Sequence, residues 1–285
     1  MTPVDPMQRH AEAGPGLSDQ VDRRYLRRPV GVTQTLRANR RWWDAQAGEY
    51  YAEHGAFLGD DELVWGPEGW RESQLRLLGE VSGKRVLEIG AGAAQGSRYL
   101  LGRGARVVAS DLSGGMLARA RAIDAARAGT PAVPLIHCDA ALLPFADGSL
   151  EVVFSSYGAV PFIADTAQLM RECRRVLRPG GRLVFSTTHP FRWAFPDQPD
   201  ESGLTVAMSY FDRTPYVELS SGRTDYVEHH RTLGDRVREL VAAGFRLVDV
   251  VEPEWPDATT QTWGGWSPLR GRMIPGTAIF VAQRE

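Results

Sequence analysis

Short apolar runs recur along this chain, separated by longer stretches of helix-forming residues. Residues 85–89 (R-V-L-E-I) are the first, with Val86, Leu87 and Ile89 apolar and Gly90 at the end. Similar runs follow at 106–110, 133–137, 150–155, 182–187, 245–251 and 277–283. Such brief, bounded runs predict strands buried on both faces. Between them, residues 93–101, 114–128, 166–177 and 232–243 predict helices. Ser113 suits the N-cap of the second of these, and Gly180-Gly181 and Gly244 suit the ends of the last two. The alternation predicts an α/β chain.

The flanks follow other patterns. Residues 1–34 carry Pro, Gly, Asp and Arg without periodicity, which predicts a flexible N-terminal tail. In 38–54, Trp43, Ala47, Tyr50, Tyr51 and His54 fall on one helical face. A second helix is predicted over 67–81, with Pro67 near its first turn. The two would form a helical cap, 38–81, on one domain spanning 35–285, with a cofactor half over 84–188. Residues 191–226 are broken by Pro196, Pro199, Gly203 and Pro215. Within this stretch, 216–219 and 225–228 read as a hairpin across 220–223. We expect the 190–230 insertion to form a lid over the acceptor site. Residues 252–276 make a long connection in which Trp263 and Trp266 argue against disorder.

Composition narrows the function. Lys plus Arg number 33 and Asp plus Glu 35, so there is no basic field to attract nucleic acid. No apolar run approaches the roughly 18 residues needed to span a bilayer, and no signal-peptide core opens the chain. Cys138 and Cys173 are too few for a disulfide framework, which points to free thiols in the cytoplasm. His229 and His230 adjoin and would point different ways, so no metal site is expected. All eight tryptophans lie outside 71–192. That distribution suits either an aromatic-walled acceptor pocket or packing within the added segments.

The candidate chemistry centres on 85–96, R-V-L-E-I-G-A-G-A-A-Q-G. A strand, a glycine turn and a helix place free backbone N–H groups above the strand end. Gly96 comes one place late for the dinucleotide fingerprint G-x-G-x-x-G. Glu88 is a carboxylate in a buried strand and must be bonded, by a ligand or by backbone donors. Asp111 follows the glycines by about 20 residues at the next strand's end, where a carboxylate suits a ribose diol. His189 ends the fifth strand. It is either a general base for the acceptor or a histidine bonding neighbouring backbone.

V-L-E-I-G-A-G at 86–92, Asp111, Asp139 followed by L-L-P-F, and L-R-P-G-G at 177–181 together resemble the class I S-adenosylmethionine (SAM) dependent methyltransferases, in the branch with small-molecule acceptors. The resemblance covers 84–185. It implies a Rossmann-like doubly wound seven-stranded sheet with its last strand antiparallel, an N-terminal helical cap and an insertion after the fifth strand. It implies SAM as cofactor, with Glu88, Gly90, Ala91, Gly92 and Gln95 at the glycine turn and Asp111 on the ribose. Leu112 and Met116 would pack on the adenine ring, Asp139 would accept from its amino group, and the Ala140 N–H would donate to the ring. Ser155, Ser156 and Tyr157 would stand at the mouth, and Tyr50 (or Tyr51) would close on the methionine end. Methyltransferases acting on exocyclic amino groups carry an Asn/Asp-Pro-Pro-aromatic run at that mouth. Ser155-Ser156-Tyr157-Gly158 departs from it, which argues against a DNA, RNA or glutamine substrate. The expected activity is methyl transfer to a small, apolar or aromatic acceptor, with neither nucleic acid nor membrane as partner and oligomeric state open. A catalytically inactive SAM-binding protein and an NAD-linked oxidoreductase are the alternatives. The glycine spacing and the antiparallel last strand stand against the second.

Overall fold

The computed structural model describes residues 23–127 and 129–285. It begins with β1 (Arg23–Arg27), α1 (Val32–Leu58) and a single turn, α2 (Glu72–Leu75). The α/β alternation follows as β2 (Arg85–Ile89), α3 (Gln95–Leu101), β3 (Arg106–Asp111), α4 (Gly114–Ala126), β4 (Leu135–His137), β5 (Leu150–Ser155), α5 (Thr166–Val176) and β6 (Leu177–Thr188). A hairpin, β7 (Tyr216–Ser220) and β8 (Arg223–Glu228), then precedes α6 (Leu233–Ala242), β9 (Phe245–Val251), α7 (Pro268–Gly271) and β10 (Thr277–Arg284).

The main sheet has seven strands in the order β4-β3-β2-β5-β6-β10-β9. β2 pairs parallel with both β3 and β5, while β10 is antiparallel to β6 and β9. This is the doubly wound, Rossmann-like sheet with an antiparallel last strand. The winding reverses beside β2, and such a reversal opens a crevice at the carboxyl ends of the strands. Successive strand side chains face opposite sides. Leu87, Ile89, Val153, Leu183, Phe185 and Phe280 therefore join one buried cluster with α5 residues Leu169, Met170 and Cys173. Val86, Val152, Phe154, Val184 and Ile279 join the other, under Trp65, Leu78 and Leu100. Apolar residues on both faces explain the near-continuous hydrophobic runs in sequence.

Boundaries differ from the sequence expectation: α1 runs over Val32–Leu58 and not 38–54, and three further differences have a physical cause. Residues 67–81 are not one helix, because the buried Glu72 carboxylate gathers the chain around itself. It accepts from the Trp65 indole at 3.0 Å, Leu77 N at 3.0 Å and Leu78 N at 2.7 Å, and Arg76 turns left-handed at φ 53°. β6 starts at Leu177 and carries Arg178-Pro179-Gly180-Gly181 as an irregularity within the strand, not as a turn before it. The expectation of a tail over 1–34 fails for its described part. Residues 1–22 lie outside the described residues, whereas 23–27 pair antiparallel with β7 in a second sheet, β1-β7-β8. The β7–β8 hairpin offers an unpaired edge, and β1 satisfies its backbone groups.

α1 closes over this small sheet. Asn39, buried on α1, bonds both backbone groups of Val227, at 2.8 and 2.9 Å, and the Phe162 carbonyl at 3.0 Å. Near the start of the helix, Thr35 meets the His229 ring at 3.0 Å. The cap and the insertion after the fifth strand therefore form one roof over the crevice.

Candidate active site

A cavity of about 530 Å³ lies in that crevice, roofed by α1, the hairpin and the 252–276 connection. This volume is ordinary for a small-molecule site. One half is built from strand ends. Gly90 and Gly92 take φ of 61° and 53°, in the left-handed region that favours glycine. Asp111 holds the turn, its carboxylate accepting from Gly92 N at 2.8 Å and from Ser113 N at 2.7 Å. Burial raises the Asp111 carboxyl above its ordinary range, against the pull of those two N–H groups. Beneath the turn, Glu88 accepts from Ser97 N at 2.8 Å and Ser97 Oγ at 2.5 Å. Burial pushes Glu88 up to about 7, opposed by the Ser97 bonds and by Arg98. Ser113 caps α4 by accepting from Met116 N at 3.0 Å and donates to Asp44 of α1 at 2.8 Å. The same Asp44 oxygen accepts from Gly115 N at 3.0 Å, which ties the roof to the α4 N-terminus.

The two halves of the cavity meet at Tyr157-Gly158. A Cβ on Gly158 would stand 2.2 Å from the Gly90 carbonyl oxygen, so the two backbones touch directly. Tyr157 takes φ 62°, a strained conformation for a bulky residue. Its N–H donates to Ser186 Oγ at 2.9 Å and its hydroxyl accepts from Thr188 at 3.2 Å. The ring is thereby fixed above the glycine turn.

Beyond it the walls are aromatic. Trp43 packs edge-on against Tyr50 at 5.3 Å and Phe162 at 5.4 Å, and Trp42 meets Tyr226 at 4.8 Å. His54 stacks on Trp263 at 4.2 Å. Three charged groups from the insertion, Arg192, Asp197 and Glu228, break the apolar lining. Arg192 pairs with Asp197 at 2.6 Å, and Asp197 also meets the fully buried Arg270 at 3.3 Å. Burial pushes Asp197 up, yet the two guanidiniums hold it below the ordinary range. Glu228 lies at the end of β8 and accepts from the Tyr226 hydroxyl at 2.6 Å. Burial raises its carboxyl, with Arg192 and the Tyr226 bond opposing.

A methyltransferase-domain family model matches residues 87–185. A demethylmenaquinone methyltransferase of Mycolicibacterium vanbaalenii is 41% identical over 216 residues, covering 74% of this chain and 81% of the relative. The chain belongs to the SAM-dependent methyltransferases. A second demethylmenaquinone methyltransferase, from Clavibacter sepedonicus, is 38% identical over 133 residues, 46% of this chain and half of the relative. A crystal structure of a SAM-dependent methyltransferase from Mesorhizobium loti superposes with a TM-score of 0.59 at 30% identity, covering 74% of this chain and 96% of that one.

The cofactor of this methyltransferase is SAM, and its residues fit that group. The cavity holds an acidic side chain at the end of β3, an N–H-rich glycine turn and an apolar pair, Leu112 and Met116. Of the residues expected from sequence, Tyr50, Glu88, Gly90, Ala91, Gly92, Gln95, Asp111, Leu112, Met116, Asp139, Ala140, Ser156 and Tyr157 all line the cavity. Ser155 and His189 do not. Ser155 is wholly buried within β5 and its hydroxyl finds no partner among the described residues. The expectation of His189 as a base is corrected by its bonds. Nδ1 accepts from Phe191 N at 3.1 Å, and Nε2 therefore carries the proton toward Glu252 at 2.7 Å. With its one lone pair engaged, the ring caps a short 3-10 turn, Pro190–Ala194, that carries Arg192.

Of the eight tryptophans, Trp42, Trp43, Trp263 and Trp266 line the cavity, while Trp65, Trp70, Trp193 and Trp255 pack elsewhere. Sequence reasoning missed Asp44, Arg192, Asp197 and Glu228. None sits at a motif spacing, and each reaches the site from a segment remote in sequence. His229 and His230 bond Thr35 and the Tyr210 carbonyl respectively, and no metal-holding cluster is found among the described residues.

Proposed function

We propose that this enzyme methylates a planar small molecule that enters between α1, the hairpin and the 252–276 connection. One observation carries the reading. A single cavity joins the glycine-turn half to an aromatic-walled half, and the two touch at Tyr157-Gly158 over Gly90. A methyl donor in one half and a flat acceptor in the other would meet there in line. SAM supplies an electrophilic sulfonium methyl, so the protein's task is alignment and exclusion of water. The relatives named for demethylmenaquinone support a small acceptor.

In this reading Asp111 receives the ribose diol on lone pairs left free by Gly92 and Ser113. Leu112 and Met116 flank the adenine. Asp139 is already turned by the Ala141 N–H at 2.9 Å, and it takes the exocyclic amino group while Ala140 N–H meets the ring. Gly90, Ala91, Gly92, Gln95 and Glu88 surround the methionine end, with Tyr50 above it. Ser156 serves the scaffold as well, since its hydroxyl donates to the Val64 carbonyl. Among the described residues no helix is long and apolar enough to cross a membrane. With two free thiols, the cytoplasm is the compartment we infer.

The test is calorimetric titration with SAM, S-adenosylhomocysteine (SAH) and NAD, on the parent and Asp111→Asn. Binding of both adenosyl ligands, weakened at least tenfold by the substitution, is expected. Preferential NAD binding, or SAH affinity unchanged in Asp111→Asn, would overturn the assignment. Mass-spectrometric detection of methylated product from a hydroxynaphthalene panel separates an enzyme from a silent binder.

A further inference from the structure

We propose that Glu228 is the catalytic base, taking the proton from a ring hydroxyl of the acceptor while Arg192 holds the oxygen. This rests on the methyl-transfer reading above and adds the acceptor's chemical class, a planar phenol.

The argument is one of elimination among the carboxylates that line the cavity. Glu49 and Glu53 are exposed on α1, Glu62 pairs with Arg71, and Asp165 is exposed and caps α5. Glu88 is bound by Ser97, Asp111 by Gly92 and Ser113, and Asp139 by Ala141. Asp197 is held between Arg192 and Arg270. Glu228 differs. Only Tyr226 reaches it among the described residues, and it does so at Oε1. No hydrogen bond from the described residues reaches Oε2, and the side chain lines the acceptor half. Its neighbours suit a phenol. Trp42, Trp43, Phe162 and Tyr226 offer faces and edges for a flat ring, and Arg192 offers a cation for a developing oxyanion. Glu228 and Arg192 are also close enough to act electrostatically on the Tyr157 hydroxyl, which stands where the two halves meet.

The charged and titratable groups around Glu228 can be named for each packed element. The turn after β6 brings Arg192, and Asp197 follows it. β7 brings Tyr216, opposite Glu228 in register, and Glu218, and β8 itself brings Tyr226. The β5 loop brings Tyr157. From α1 the uncharged Asn39 and Trp42 meet this strand near Glu228, while Gln34 and Arg41 bond its far end at Thr224. Burial raises the carboxyl and so makes it a stronger base than an exposed glutamate.

The step balances. The O–H electron pair stays on the acceptor oxygen as its proton passes to Glu228. That oxygen forms the new bond to the methyl carbon, and the carbon–sulfur pair leaves with sulfur as neutral SAH. Glu228 then returns the proton to solvent.

The first readout needs no turnover. 4-Nitrophenolate is titrated into the SAH complex in buffers of different ionisation heat. A phenolate seated against Glu228 must force a proton onto the carboxylate, so the parent takes up to about one proton per site and Glu228→Gln takes none. The second readout is turnover. Glu228→Gln should slow an unactivated naphthol by ~100-fold, and 4-nitrophenol, already ionised, far less. Glu228→Asp should recover part of the naphthol rate. Absence of nitrophenolate binding, no proton uptake in the parent, equal uptake in Glu228→Gln, or equal slowing of both acceptors would each overturn the proposal. Failure of the parent to bind SAH at all would instead sink the cofactor reading. SAH affinity of the variants reports whether the site is still folded, and the parent titration alone decides the matter if they are not.

Discussion

Two glycine-to-alanine substitutions should act in opposite directions, and the geometry sets both magnitudes. At Gly158 the new Cβ would lie 2.2 Å from the Gly90 carbonyl oxygen and 3.2 Å from its carbon. Ordinary carbon–oxygen contacts are about 3.3 Å, so the β5 loop and the glycine turn must separate by ~1 Å. Both partners are backbone, so no rotamer relieves the overlap. Overpacking of this kind costs about 1–3 kcal/mol, or roughly 2–10 °C in Tm for a domain of this size. The same displacement falls where Tyr157 faces the cofactor half, and a 1 Å misplacement can cost ~100-fold in rate. At Gly48, inside α1, the nearest atom to a new Cβ is Arg119 Nη2 at 3.9 Å. Alanine there should stabilise by ~0.5–1 kcal/mol through helix propensity, with turnover unchanged. Both variants would be followed by thermal unfolding and by kcat/KM on one acceptor. A Gly158→Ala protein with parental Tm and rate would refute the reasoning that these two backbones are in contact at the working site.

Three further outcomes are expected. His189→Ala should lower stability by ~1–2 kcal/mol, through loss of the Phe191 and Glu252 bonds, and leave kcat within about fivefold; a loss above 100-fold that follows a titrating group would restore it as the base. Glu68 is buried, bonded to Thr277 at 2.7 Å and pushed up to about 7 by burial. Because the folded state holds this proton more tightly than the unfolded chain, its contribution is present in full below about pH 4.5 and is lost as pH rises through 7, by up to ~3 kcal/mol. Denaturant midpoints of the parent should therefore fall over that window relative to Glu68→Gln, and parallel curves would contradict the assignment. Asp44→Ala should weaken SAH binding while leaving the sheet intact, because Asp44 joins α1 to Ser113 and Gly115 beside Asp111. Calorimetry and far-UV dichroism together check it.

What the sequence determined by itself is local and periodic. The strand ends, the left-handed turn at Gly90 and Gly92, the Ser113 cap and the strand-end Asp111 are legible because each is fixed by its own few residues. The short, bounded apolar runs likewise reported burial on both sheet faces. Only the tertiary structure decided the rest, since those positions depend on partners far along the chain. Glu72 broke an expected helix by collecting donors from Trp65, Leu77 and Leu78. Residues 23–27 became a strand because a hairpin nearly 200 residues later had a free edge. His189 looked like a base until Phe191 and Glu252 claimed its two nitrogens. Glu228, Arg192 and Asp44 carry no motif, and their chemistry exists only where α1 and the insertion close over the strand ends. Short-range geometry is written in neighbouring residues, whereas the solvation and charge of a side chain depend on whatever the fold brings beside it.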